Sequence, residues 1–167
     1  MMIGILTENN IVMGYLLTAL LYVACFAIYD IHTRRVPNQA LVFFLPFAIL
    51  APILRIWSLS SFGIPPAWYF SIVMDSLLGS LLGFTASLAA ALVSGGGMGG
   101  GDIKFCGILG LIYGISGMAL IFLIASILAM PVSLIIRRKV GKQMLSIPFL
   151  PFLACGCFVA TFVQLFL

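Results

Sequence analysis

The sequence predicts an all-α fold: a polytopic bundle of about six transmembrane helices, of which the fourth is short. Only 7% of the 167 residues are charged, 63% are hydrophobic, and the mean hydropathy is +1.28. Soluble domains contain about 25% charged residues, so a soluble globular enzyme and a disordered chain are both excluded. A chain in lipid must hide its backbone in helices or a closed barrel. The long unbroken apolar blocks favour helices, because barrel strands alternate polar and apolar residues.

The basic residues indicate a bilayer rather than a nucleic acid as the partner. The net charge is +4, and seven of the eight Lys and Arg residues lie in short loops or at the ends of apolar blocks. This distribution follows the positive-inside rule for membrane proteins. The cysteines lie inside apolar blocks without a CxxC pair, so we expect small buried residues and neither a metal site nor a disulfide. They are Cys25, Cys106, Cys155 and Cys157.

The clear apolar blocks give four of the helices. They cover about 11–29, 39–57, 68–94 and 147–167. Between the second and third blocks, the segment 58–67 carries Gly63, Pro65 and Pro66 and is expected to be a loop. In the third block, Ser76, Gly79, Ser80 and Gly83 offer a surface of small residues for close helix packing.

The stretch 104–136 has no charged side chain after Lys104 and is long for one crossing but short for two. Two crossings place Arg34, Arg35, Lys104 and the basic cluster 137–142 on one side, with only Arg55 near the other. The positive-inside rule therefore predicts a short fourth helix over about 103–113 and a tight turn near 113–117. Both termini are then outside, and one domain spans 1–167.

This topology places two of the four acids, Asp30 and Asp102, at the cytoplasmic ends of their helices. Two carboxyl groups in close approach cannot both ionise cheaply, so they can share a proton and work as general acid and base without a metal or cofactor. The glycine-rich segment before Asp102 would let an extended peptide approach. Equally, Asp102 could cap the fourth helix and the glycines could form a plain hinge.

Three segments resemble the type IV prepilin peptidases. Gly99-Gly100-Gly101-Asp102 matches the Gly-x-Gly-Asp motif of intramembrane aspartic proteases, and the string 96–104 resembles the second active-site segment of the prepilin peptidases. Asp30, followed after six residues by Pro37-Asn38, resembles their first segment. The stretch 147–152 is similar to the start of their last helix. The matches occur in the family's order and span most of the chain.

The resemblance implies that Asp30 and Asp102 are the catalytic pair and that Gly99, Gly100, Gly101 and Lys104 form the active-site loop. It also implies cleavage of leader peptides from prepilin-like proteins at the cytoplasmic face of the inner membrane. The longer bacterial members carry a loop with two CxxC pairs and also methylate the product. This chain has no such loop, so methyl transfer and S-adenosylmethionine are not implied. The short form is similar to peptidases of tight-adherence pili, with archaeal preflagellin peptidases as a second possibility.

The remaining polar residues leave alternatives. Lys104 could act on Asp102, bind substrate or anchor the helix at the interface. Asp75 lies on the opposite side from the pair, so we expect a structural bond to Ser71 or to a neighbouring helix, with Arg55 as a possible partner. His32 is expected in a solvated loop, and Gln164 at a helix end or in the bundle. A small transporter that uses Asp75 and the glycine-broken helix is the alternative function, and a non-catalytic scaffold is a third.

Overall fold

The computed structural model describes residues 2–33, 37–61, 63, 65–93, 99–140 and 149–166, and within them the side chains of 10–33, 37–60, 63, 65–92, 99–132 and 149–165. Every regular element in these ranges is a helix. They are α1 (Met2–Thr33), α2 (Asn38–Ser61), α3 (Ala67–Val93), α4 (Gly100–Val140) and α5 (Leu150–Phe166). Some predicted features lie outside the described residues, namely Arg34, Arg35, Lys142, the glycines 95–97 and the residues 147–148.

Four of the helices are long and apolar enough to cross a bilayer, and α5 is a shorter apolar helix. The segments that meet this length and composition are Asn10–Thr33, Asn38–Ser60, Ala67–Leu92 and Gly100–Val132. The all-helical membrane fold predicted from the sequence is therefore confirmed. The chain is a multi-pass membrane protein, with many large apolar side chains exposed on the outer faces of its helices.

The predicted fourth and fifth helices both lie within α4, where they join at Gly114, so the described residues form five helical elements rather than about six. Within α4, Gly114 has φ 68° and ψ −174°, a conformation that is open essentially to glycine alone. We call residues 100–113 the first arm of α4 and residues 115–140 the second arm.

The chain nevertheless reverses direction at Gly114, as the predicted turn near 113–117 requires. A Cβ at Gly83 of α3 would meet both the backbone oxygen of Cys106 and the Cε of Met118. In a straight helix these two residues would be about 18 Å apart. Contacts with α5 agree, because Gly117 lies beside Gln164 whereas Ile121 lies beside Gly156, nearer the start of α5. The second arm therefore runs back along the bundle.

The small residues of α3 allow α4 to pack against it with the two backbones almost in contact. A Cβ built at Gly79 would overlap the backbone of Gly110 and Gly114, and one built at Gly110 would overlap the backbone of Gly79. Ser76 is also buried on this helix. The predicted close packing of α3 is confirmed, and its partner is α4.

The core lies around the first arm of α4. Phe105 stacks on Phe44 of α2 with ring centroids 5.7 Å apart, and Phe26 of α1 lies 4.9 Å from the same ring. The cysteines are all free, as expected, but only Cys106 and Cys157 are buried. Cys25 and Cys155 are exposed on their helices, so the expectation of four buried cysteines is wrong for these two.

Candidate active site

Asp30 is a buried carboxylate near the end of α1. Its residue is only 3% exposed, and it lies one helical turn beyond Phe26 of the aromatic cluster. A carboxylate is almost never buried in this way unless it has a partner. The burial therefore points to a specific arrangement around Asp30.

The start of α5 supplies one partner. The backbone N–H of Leu150 donates a hydrogen bond to the Asp30 carboxylate. The first N–H groups of a helix have no partner within the helix and carry a partial positive charge, so they suit an anion. Pro151 follows Leu150 and has no N–H of its own. The other oxygen, Oδ2, is buried without a hydrogen-bond partner among the residues that the structure describes.

Asp102 lies in the first turn of α4. Its backbone N–H donates to the carbonyl of Gly99, 3.1 Å away, and the Gly99 N–H donates to its carboxylate. The residue is half-buried. Asp102 is therefore the third residue of α4 and not its N-cap, so the capping role expected in the structural interpretation is wrong; its carboxylate instead accepts from Gly99, the residue before the helix.

Asp30 on α1 and Asp102 on α4 are near enough for their charges to interact. Both are at least half-buried, where water screens charge poorly, so two ionised carboxylates would repel each other. The Oδ2 of Asp30, which has no partner among the described residues, can still accept a hydrogen bond.

The glycines before Asp102 leave space rather than fill it. A Cβ at Gly99 would lie 3.6 Å from Oδ2 of Asp102, and one at Gly100 would meet no described atom within 4 Å. Gly101 is partly exposed. A peptide backbone can therefore approach the first turn of α4 closely.

Lys104 points away from the acid pair. It is exposed, and its Nζ donates to Oδ1 of Asn38 at the start of α2, 3.3 Å away. It bonds to this amide rather than to Asp102. His32 is also exposed, but it lies in the last turn of α1 rather than in the predicted loop, and its Nδ1 is 3.1 Å from the Ile28 carbonyl oxygen.

Asp75 stabilises the reversal at Gly114. Its Oδ2 lies 3.4 Å from Nη1 of Arg55, and its Oδ1 accepts the backbone N–H of Ile115 at 3.1 Å. The predicted pairing with Arg55 is confirmed. The alternative with Ser71 is wrong, because the Ser71 hydroxyl donates to the Trp68 carbonyl of its own helix. Both oxygens of Asp75 thus make contacts that hold this turn in place.

Two more side chains cap the same turn. Arg55 Nη2 donates to the carbonyl of Ile112 at 2.7 Å, and Gln164 Nε2 donates to the carbonyl of Tyr113 at 3.1 Å. The prediction that Gln164 caps a helix end is confirmed. Sequence reasoning missed the bonds from Leu150 to Asp30 and from Arg55 to Ile112. Backbone partners leave no signal in side-chain patterns, although the motif at 147–152 marked the right segment.

Comparisons with known proteins identify a family that the chain resembles over most of its length. A profile of the type IV leader peptidase family matches residues 15–134, a range that contains both Asp30 and Asp102. A protein of Bacillus subtilis named prepilin leader peptidase/N-methyltransferase is 31% identical over 136 residues, which are 80% of this chain. The matched part is 49% of that protein, so the chain spans about half the length of this relative. No solved structure matches the chain significantly.

Proposed function

The chain belongs to the type IV leader peptidase family, and we propose that it is a membrane aspartic endopeptidase. Its substrates are prepilin-like or preflagellin-like precursors, from which it removes the leader peptide. The observation that supports this most directly is the pairing of Asp30 and Asp102, from two different helices, at the start of α4. No metal and no nucleophilic side chain are needed for this chemistry.

The proposed reaction uses the two carboxyl groups in opposite protonation states. The ionised carboxylate takes a proton from a water molecule as its oxygen attacks the carbonyl carbon of the scissile bond. The protonated carboxyl group gives its proton to the carbonyl oxygen, which forms a gem-diol. When the C–N bond breaks, the amine leaves with a proton from the first carboxyl group, and a diol hydroxyl returns one to the second. The pair ends with the single proton with which it began.

We place the enzyme in the inner membrane with this pair at the cytoplasmic face. Asp30 ends one crossing segment and Asp102 begins another, so both lie at a membrane surface rather than at its centre. Lys104 follows Asp102 by two residues in sequence, and Arg34 and Arg35 follow Asp30. Clustered basic residues favour the cytoplasmic side.

The direct test is processing of a candidate precursor co-expressed with the protein. We expect Asp30→Asn and Asp102→Asn each to abolish cleavage, because the amide neither accepts a proton from water nor donates one as an acid. Cleavage is measured by the mobility shift of the precursor, and the amount of membrane-inserted protein by immunoblotting.

Asp75→Asn is the matched control, because it makes the same chemical change in α3, which carries neither Asp30 nor Asp102. An asparagine can still accept the Ile115 N–H, so this variant should continue to process precursor. Full cleavage by Asp30→Asn or Asp102→Asn would refute the proposal. If the protein carries a solute across the membrane of proteoliposomes, and Asp75→Asn alone abolishes that flux, the transport alternative is favoured.

A further inference from the structure

The start of α5 is capped by a residue of another helix. α5 begins at Leu150. The carbonyl oxygen of Phe149, the residue before it, accepts from the Phe152 N–H at 3.1 Å and from the Leu153 N–H at 3.2 Å. Phe149 therefore occupies the N-cap position, where a Ser, Thr, Asp or Asn side chain usually accepts from the free N–H groups. A phenylalanine side chain has no acceptor, and the carboxylate of Asp30 takes this role by accepting the Leu150 N–H.

Pro151 leaves this helix start with a single free donor. The first N–H groups of a helix normally have no partner within it. In α5, two of them already bond to the carbonyl of Phe149, and the nitrogen of Pro151 carries no hydrogen. Only the Leu150 N–H remains, and it is the one that Asp30 accepts. Asp30 thus has one donor at a place where a helix start without this proline would offer a second.

The missing donor matters because a carboxylate has two oxygens side by side. Both oxygens can accept at once from neighbouring N–H groups, as they do from the fork of an arginine. The amide nitrogens of consecutive helical residues are about 3 Å apart, which suits such a pair of bonds. At Asp30 the second bond is not made, since Oδ2 is buried without a partner among the described residues. Buried acceptors usually have a partner, so this oxygen requires an explanation.

The main charged neighbour of Asp30 is Asp102, whose charge interacts with it from α4. The other charged or titratable side chains on the packed helices bond elsewhere, are exposed or lie deeper in the bundle. They are His32 of α1, Arg55 of α2, Lys104 and Cys106 of α4, and Cys155 and Cys157 of α5. Among the described residues, the donor at the start of α5 and the charge of Asp102 are therefore the main influences on the protonation of Asp30.

We propose that Pro151 is a positioning residue for the acid pair, because it withholds a second N–H and so keeps Oδ2 of Asp30 free to exchange the catalytic proton. A second backbone donor would hold Asp30 in its ionised form and occupy the oxygen that must exchange a proton during the reaction. Pro151 acts through Asp30. The inference rests on the proposed function, since it concerns the same pair.

The protonation of Asp30 can be measured without any substrate. The aspartates of the chain are Asp30, Asp75 and Asp102, so Asp75→Asn and Asp102→Asn together leave Asp30 as the only one. A stable carbon isotope at the aspartate Cγ then gives an NMR signal whose shift follows the ionisation of this single group. In this background, Pro151→Ala is compared with lactic acid at the same position, introduced by a suppressor tRNA in cell-free synthesis. Lactic acid has the side chain of alanine but an ester oxygen in place of the N–H, so it is the matched control for the donor.

We expect the titration midpoint of Asp30 to lie about one pH unit lower in Pro151→Ala than in the lactic acid variant, because the added N–H favours the ionised carboxylate. Equal midpoints would overturn the proposal and leave Pro151 with only the backbone role that proline has in the first turn of a helix. If Pro151→Ala does not fold, the α-hydroxy acid of leucine at Leu150 removes the existing donor instead. The midpoint should then rise relative to the unchanged chain in the same background, and an unchanged midpoint would overturn the proposal.

Activity gives the second measurement, with all the acids restored. The kcat for the precursor should be about tenfold lower in Pro151→Ala than in the lactic acid variant, with an equal KM, because the added donor affects proton transfer rather than binding. Equal kcat values would overturn the positioning role. Failure of the proposed function is a separate result: full cleavage by Asp30→Asn would refute the peptidase mechanism, whereas the NMR comparison would still show whether Pro151 controls the proton of Asp30.

Discussion

At the scale of single residues, the environment of Asp30 is the most informative feature. A carboxylate at a membrane surface is ordinary, but one that is 3% exposed is not. It is stabilised by the Leu150 N–H at the start of α5, while Oδ2 has no partner among the described atoms. One oxygen is thus fixed and the other remains available for chemistry.

The proposed mechanism predicts how activity depends on pH. That mechanism requires one protonated and one ionised carboxyl group, so activity should fall at low pH, where both are protonated, and at high pH, where both are ionised. The profile of kcat/KM should therefore be bell-shaped, and its two limbs belong to the pair as a unit. Measurement needs a pH range in which the protein remains folded, checked by circular dichroism. A profile with a single limb across that range would contradict a shared-proton mechanism.

Residue patterns predicted some of these contacts and missed others for physical reasons. Asp30 and Asp102 could be paired because the spans alone placed both at one depth. Arg55 and Asp75 could be paired because an acid and a base inside membrane segments need each other. Ser71 was a wrong partner, because a serine in a helix readily donates to the carbonyl of its own preceding turn. The Leu150 contact depends on where α5 begins in space, which no residue pattern shows.

At the scale of elements, α4 depends on its polar neighbours at the reversal. The first arm ends with carbonyls that accept from Arg55 and Gln164, and the second arm begins with the Ile115 N–H bonded to Asp75. Cations suit the end of a helix and anions suit its start, so the charges of this cluster match both arms. Unpaired backbone groups inside a membrane protein are costly. The cluster therefore explains how one apolar stretch can turn back within the bundle, and it gives Asp75 a structural role.

The close approach of α3 and α4 gives a stability prediction. A Cβ at Gly79 would overlap the backbone of α4, and backbone cannot move aside as a side chain can. We expect Gly79→Ala to destabilise the protein by about 1–3 kcal/mol, the usual cost of overpacking. The measurement is the Tm of the protein in detergent.

Gly14→Ala in α1 is the matched control, because a Cβ there meets nothing within 4 Å. Its Tm should equal or exceed that of the unchanged protein, since alanine favours a helix over glycine. A Gly79→Ala variant as stable as Gly14→Ala would contradict the contact between α3 and α4.

At the scale of the whole molecule, composition was enough to predict a helical membrane bundle. It could not reveal the apolar groove between α2, α3 and the first arm of α4. In a soluble protein, the contrast between apolar and polar faces shows which side of a helix is buried. In a membrane protein, side chains that face other helices and side chains that face lipid are both apolar, because hydrocarbon surrounds the bundle. Leu81 lines the groove and Leu78 lies outside it, so residue type alone does not distinguish the two positions. The gap between α2 and α3 is a property of packing, and only the arrangement of the helices discloses it.

The reversal at Gly114 also determines the orientation of the whole chain, which can be tested by labelling. With the reversal, Asp30 and Lys104 share one side with the end of α4, and the loop at Gly63 lies on the other. The positive-inside rule predicts that the side of Asp30 and Lys104 faces the cytoplasm. In a background without the four native cysteines, we expect Gly63→Cys to react with an impermeant maleimide in right-side-out membrane vesicles. His32→Cys, which is exposed at the end of α1, should react only after the vesicles are opened. The opposite pattern would place the acid pair outside the cell and separate it from a leader peptide that is still in the cytoplasm.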